Sequence, residues 1–274
     1  MKLLKKLGWA AACTLPLIAM MAVQLLFAYA AAWFAPDVFN NAYPVIVVLA
    51  DGVCTLLFAL WFYRGLGRVR PAKPPFCATG RTLLVVVLMA AGLLLLVQVY
   101  MLALSFWQPA AMDDYNNIME DSGLSSFTWL TLLATAVLAP VTEELAFRGL
   151  TLHFARRLCG RFWLANLIQA LLFGIAHGNL IQGSYAFALG LVLGYFCHTY
   201  QSLGASMLLH ACFNLFSAVF DLLFAQVPFT LLIALGELAL GALCAGAAVR
   251  LLKRDPAVPA QASPLYHARK EPPL

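Results

Sequence analysis

What this sequence of 274 residues has least of is charge: Asp, Glu, Lys and Arg together make up 11% of it. A soluble domain usually carries about a quarter charged residues and is about half apolar. Here 63% of residues are hydrophobic and the mean hydropathy is +0.86. That excess cannot be hidden in one globular core, so the solvent must be lipid. No separate soluble domain, internal repeat or low-complexity tract is visible. The seven cysteines (Cys13, Cys54, Cys77, Cys159, Cys197, Cys212 and Cys244) form no C-x-x-C pair. Neither a disulfide framework nor a zinc knuckle is indicated, and they read as small apolar fillers. An H-E-x-x-H zinc motif is also missing.

What is present lies in apolar blocks of roughly 18 residues or more, long enough for a hydrocarbon layer of about 30 Å. They fall near Leu7–Phe34, Pro44–Tyr63, Thr82–Trp107, Phe127–Leu158, Phe162–Ala176, Ser184–Gln201, Gly204–Phe224 and Pro228–Leu252. Backbone groups in lipid must be paired within their own segment, so these are helices. The expected fold is all-α, a polytopic transmembrane bundle of about eight helices around an intramembrane cavity, which the motifs below imply to be catalytic. The expected divisions are N-terminal helices with an outer connector over 1–126, a core over 127–224 that holds those motifs, and a last helix over 225–254. Residues 255–274, rich in Pro and Ala, read as a disordered cytoplasmic tail.

The net charge of +5 is not spread evenly. Lys and Arg fall at the start (Lys2, Lys5, Lys6), in the connector from Arg64 to Arg81, in the segment from Arg148 to Arg161, and from Arg250 onward. The alternate connectors carry Asp37, then Asp113, Asp114, Glu120 and Asp121. This is the positive-inside pattern, which puts both termini in the cytoplasm of a multi-pass protein, expected in a bacterial inner membrane. It calls for a lipid bilayer and no nucleic acid as partner. The first block is too long for a signal-peptide h-region of roughly 7–15 residues and reads as a retained anchor. The connector Gln108–Ser126 is long enough to lie on the outer face as a lid.

Ionisable groups at membrane depth are expensive and usually functional. The fourth block holds Glu143, Glu144 and Arg148, the fifth ends on Phe173 and His177, and the seventh holds His210 and Asn214. Glu144 and Arg148 are four apart on one helix and can pair. Glu143 is turned about 100° from Glu144, free to point elsewhere. Glu143 lies ~20 Å from the interface marked by Arg156, His177 ~22 Å from Phe162, and His210 ~12 Å into its block, the shallowest of the three. A carboxylate with a histidine can take a proton from water, and a second histidine with an asparagine can stabilise an oxyanion. The same set, His177, His210 and Glu143, can instead hold a zinc ion. Asp51, Asp221 and Glu237 read as bundle contacts or cavity lining, and His153 and His198 as interfacial.

Glu143-Glu144-Leu-Ala-Phe-Arg148, Phe173-Gly-Ile-Ala-His177 and His210-Ala-Cys-Phe-Asn214 resemble the three motifs of the CPBP family. That family comprises CAAX prenyl endopeptidases and bacteriocin-processing or self-immunity proteins. Its pattern, E-E-x-x-x-R, F-x-x-x-H and H-x-x-x-N in order on separate helices, is intact, and the resemblance covers roughly Phe127–Phe220. It implies an intramembrane endopeptidase acting on a prenylated tail, peptide or membrane-protein substrate. Glu143 would be the water-activating base, and Glu144 its companion held by Arg148. His177 would sit beside the water, with His210 and Asn214 at the oxyanion. The alternatives from other classes are a proton-coupled transporter and a non-catalytic membrane immunity or scaffold protein.

Overall fold

The computed structural model describes residues 2–66, 76–124, 126–224, 227 and 230–259. Arg68, Arg70 and Lys73 of the basic connector, and 260–274 of the expected tail, lie outside these.

The described residues form ten helices and no strand. The first, α1 (Lys2–Phe34), leads through a short α2 (Pro36–Asn41) to α3 (Tyr43–Leu60), which ends in a wide π turn over Trp61–Gly65. Then come α4 (Gly80–Trp107) and α5 (Pro109–Asp121). The fourth long helix, α6, runs over Trp129–Cys159. It is followed by α7 (Phe162–Ala176), α8 (Leu180–Tyr200), α9 (Leu203–Phe224) and α10 (Leu231–Leu252).

Seven of these are long and apolar enough to span a bilayer. Of the eight expected spans, α7 is the exception. Its 15 residues rise only ~22 Å, short of the ~30 Å layer. It nevertheless runs the same way a full span would, because it lies antiparallel against α8 as a close hairpin. A Cβ on Gly174 would stand 2.6 Å from the Gly183 carbonyl oxygen, so only glycine permits this approach. Gly178 makes the turn at φ +73°.

The surface is as apolar as the interior. Leu26, Leu56, Leu164 and Leu243 are largely exposed, which is stable only against lipid. Two buried clusters hold the bundle together. One joins α1, α3, α6 and α7 through Phe58, Phe62, Phe147 and Phe154. The other joins α4, α8, α9 and α10 through Val85, Leu193, Phe196 and Leu209. In the second, α4 and α10 cross at Gly92 and Gly241, where an added Cβ on Gly92 would meet the Ala245 backbone nitrogen at 2.8 Å.

The bundle has two chemically distinct ends. At one, Trp9 stacks on Phe154 and Trp61 packs tilted against it, and Arg156 Nη2 lies 2.8 Å from His198 Nδ1. Arg81 there donates to the Arg254 carbonyl. Asp255 joins this end as a buried acid. Burial alone would raise its pKa, but donors from Ala257, Thr82, Tyr200 and Thr79 outweigh that and hold its carboxyl below the usual range. At the other end Tyr100 meets Ser184 at 2.7 Å, and Leu104, Met112 and Ile181 cluster. The start of α1 and the end of α10 share the first, basic end.

Candidate active site

The site lies where the two clusters meet, and it begins with a fault in α6. Leu133–Leu138 and Glu144–Thr151 are wound as π turns, a widening often found at functional sites. In the first, Ala139 donates to the Ala134 carbonyl, five residues back. Continuing that pattern, residue 140 should donate to Thr135, but Pro140 has no N–H. The orphaned Thr135 carbonyl is taken by the Asn214 side chain, whose Nδ2 donates at 2.7 Å. Asn214 therefore ties α9 to the kink that aims the two glutamates. Replacing it by Leu leaves that carbonyl unsatisfied at membrane depth. A loss of about 1–3 kcal/mol is expected, read as a lower unfolding midpoint in detergent. An unchanged midpoint would remove Asn214 from this role.

One turn on, Thr142 Oγ1 donates to the Asp51 carbonyl at 3.1 Å and lies 2.6 Å from Thr55 Oγ1, fixing α6 to α3. Glu144 and Arg148 then form the expected pair: Nη1 is 2.9 Å from Oε1, and neither side chain reaches solvent. The approach is off the axis of a good hydrogen bond, so the contact is mainly ionic. Arg148 also donates to the Gly190 carbonyl (3.3 Å) and lies 4.3 Å over the Phe173 ring.

The same Glu144 Oε1 is 3.1 Å from His210 Nδ1. A carboxylate beside Arg148 is an acceptor, so His210 donates through Nδ1 and turns Nε2 toward Glu143, 3.6 Å from its Oε2. That gap is too long for a direct hydrogen bond and right for one shared through water. His210 is thus level with the glutamates, not shallower. Its helix starts deep, with the Leu203 side chain 3.5 Å from where a Gly149 Cβ would stand.

His177 caps α7, and its Nδ1 is 2.8 Å from the Phe173 carbonyl. A carbonyl only accepts, so Nδ1 carries the proton and Nε2 keeps its lone pair. Phe173 is fully buried and packs its ring against His177 (4.8 Å), His210 (5.7 Å) and Arg148. It is the packing hub of the site.

Glu143, His177, His210 and Asn214 all line one cavity of about 590 Å³. Glu143 is the half-open member at 20% exposure, whereas Glu144 is sealed. Asp51 also lines the cavity, and its Oδ1 accepts from Gln24 Nε2 at 3.2 Å. Asp221 lines its outer part. Glu237 does not line it, and His198 stacks on Phe162 at the basic end. Sequence reasoning had no hold on Gln24, since its partner is 27 residues away on another helix. The connector expected to lie on the outer face as a lid forms α5, which supplies Tyr115, Asn116 and Met119 to the roof, residues that the sequence did not single out.

Among the described residues, no group of three or more His, Cys, Asp or Glu is placed to hold a metal ion. The donor set is present but spread: Glu143, His177 and the Nε2 of His210 all face the cavity, yet they are not gathered closely enough to act as the three protein ligands of a catalytic zinc.

Residues 125–216 match the family model described as type II CAAX prenyl endopeptidase Rce1-like. This part of the chain is similar to that family. The match takes in all three motifs. Two relatives resemble the chain over shorter stretches. An uncharacterized 24.3 kDa protein of Escherichia coli is 45% identical over 67 residues, 23% of this chain and 31% of that protein. UPF0177 protein YbdI of Lactococcus lactis subsp. lactis (strain IL1403) is 25% identical over 115 residues, 39% of this chain and 61% of that one. The chain thus spans less than two thirds of either relative's length. No solved structure matches it.

Proposed function

We propose that this protein is an intramembrane endopeptidase whose Rce1-like core hydrolyses a peptide bond with water activated by Glu143. The observation that carries this reading is the relay Arg148–Glu144–His210–Glu143, sealed at one end and open to a cavity at the other. Water in that cavity meets the Glu143 carboxylate and the His177 Nε2 lone pair. Glu143 takes a proton from it as the oxygen attacks the substrate carbonyl, forming a tetrahedral intermediate. The oxyanion is met by His210 Nε2 when that atom is protonated, with Glu144 on the other ring nitrogen balancing the charge. The second N–H of Asn214, not used on Thr135, is available to the same oxygen. Glu143 then returns its proton to the departing amine, giving a new carboxylic acid and a new amine.

Glu144 and Arg148 act as positioning residues, since neither reaches the cavity. The transporter alternative needs access from each end in turn, and the lining in this structure reaches one. Membranes from cells producing the wild type or Glu143→Gln test the function directly by comparison of protein N-termini. New N-termini made only by the wild type are expected. Identical sets would sink the peptidase reading.

Metal dependence is a separate prediction from the donor set. Activity of the purified protein should survive exhaustive chelation. One equivalent of zinc whose removal abolishes activity and whose return restores it would show Glu143, His177 and His210 to be ligands instead.

A further inference from the structure

We infer that the catalytic cavity takes its substrate from the non-cytoplasmic side of the membrane, so that the bond cut belongs to a segment exposed there and not to a cytoplasmic tail. This rests on the peptidase reading for what the cavity does, and on separate observations for where it opens.

The first observation is the floor. Toward the basic end, every α6 residue from Glu144 to Leu152 is buried. Phe58, Phe62, Phe147 and Leu150 fill the space beneath the glutamates at 2% exposure or less. On α9, Ala205, Ser206 and Leu209 close the same level at 0%. None of the cavity's lining residues comes from the basic end. A polypeptide arriving there would have to part a close-packed interior to reach Glu143.

The second is the mouth. The lining continues from Glu143 and His210 to Ser126, Tyr115 and Asn116 of the connector and α5, Gln182 at the start of α8, and Asp221 near the end of α9. All of these lie at the opposite end. There α5 roofs the cavity, turning Met112 inward to Leu104 and Ile181 while Asp113, Asp114 and Glu120 stay exposed.

The third is charge. Apart from the sealed Arg148, Lys and Arg of the described residues lie at the closed end, among them Arg64, Arg81, Arg156, Arg161 and Lys253. The open end has none: residues 34–43, 107–128, 177–183 and 217–231 contain no Lys or Arg. Orientation follows the Lys and Arg of short loops near span ends. Such a one-sided distribution assigns the closed end to the cytoplasm.

These together narrow the substrate. A lipid-modified tail in the cytoplasm meets only the closed floor. The lining also contains Asp51, Glu143 and Asp221 but no Lys or Arg. The free carboxylate of a short C-terminal tail would therefore enter with no permanent cation to pair with, which is costly in a low-dielectric cavity. A peptide bond inside a longer extracytoplasmic segment carries no such charge and suits the polar mouth.

Sidedness can be measured without catalysis. In a cysteine-free background, Asn116→Cys and Ser217→Cys mark the mouth and Lys253→Cys the closed end. A membrane-impermeant maleimide added to intact cells should label both mouth positions as fully as in permeabilised cells, and Lys253→Cys only in inverted vesicles. Should the cysteine-free chain not insert, a short epitope between Ser122 and Gly123 of the native chain replaces it. Antibody should then bind in spheroplasts before lysis. Mouth positions reached only in inverted vesicles, equal labelling of both ends, or an epitope exposed only after lysis would overturn the inference. Labelling from outside of a protein that cuts nothing would sustain the sidedness and sink the peptidase reading instead.

Discussion

Glu143→Gln is expected to lower peptide-bond cleavage by about 10²–10⁴-fold, the usual contribution of a general base, while leaving the protein folded and inserted. Glu143 is suited to this separation of effects. Its recorded polar contact is the 3.6 Å approach to His210, and its side chain is 20% exposed to the cavity. Gln fills the same volume and keeps a polar atom toward water, but it cannot accept the proton. The unfolding midpoint should therefore stay close to wild type while turnover falls. His177→Gln is the companion variant, because it removes the free Nε2 and leaves Glu143 intact. Its loss should be smaller than that of Glu143→Gln if the carboxylate is the base. Wild-type turnover in Glu143→Gln, measured on a substrate found by comparison of N-termini, would end the proposed mechanism.

The parts of the site legible in the sequence are those set by spacing along one helix. Glu144 and Arg148 pair because positions four apart share a face, and the intervening π winding did not separate them. The three motifs likewise named the residues that line the cavity, except for the sealed Glu144 and Arg148. What spacing could not give was contact between helices. His210 joins Glu144 across 66 residues and Asn214 joins Thr135 across 79. Span ends alone put His210 too shallow, because the inner ends of the helices are not level. The role of Asn214 at Thr135 required knowing that α6 widens to π turns just before Pro140. Proline marks a break in the sequence, but only tertiary packing decides how the freed carbonyl is satisfied.

The fold shows the same division. Periodicity and length give the long helices, and α7 is the shortest block, its 15 residues falling short of a full span. In α5, Met112, Tyr115 and Met119 recur at helical spacing and face inward, while the acids between them face out. That pattern was present in the connector. The residue types carried no chemistry of their own, however, and only the assembled bundle makes them the roof of a cavity.

Arg148→Ala is expected to have the largest effect on stability, about 3–5 kcal/mol, the range for removing one member of a buried ion pair. Three interactions end together. Glu144 loses the cation 2.9 Å from its Oε1, the Gly190 carbonyl loses one of its two donors and keeps Gln169 Nε2, and Phe173 loses the charge over its ring. Glu144 is wholly buried and its Oε2 has no partner even in the intact site, so no other cation stands by to balance a bare carboxylate. His210 stays on Oε1, but without Arg148 the carboxylate is no longer held in place and the direction of the His210 Nε2 is no longer fixed, so cleavage should fall as well. Arg148→Lys should lie between, because an ammonium keeps the charge but cannot present a planar fork to Glu144 and Gly190 at once. The decisive comparison is the double variant Glu144→Gln with Arg148→Met. Removing both charges leaves no uncompensated ion, so it should be less destabilised than the sum of its single variants, by a coupling in the range of about 0.5–3 kcal/mol. Unfolding midpoints in one detergent measure the wild type and all five variants. An Arg148→Ala midpoint equal to wild type, or strict additivity in the double variant, would mean that the pair does not hold the site together.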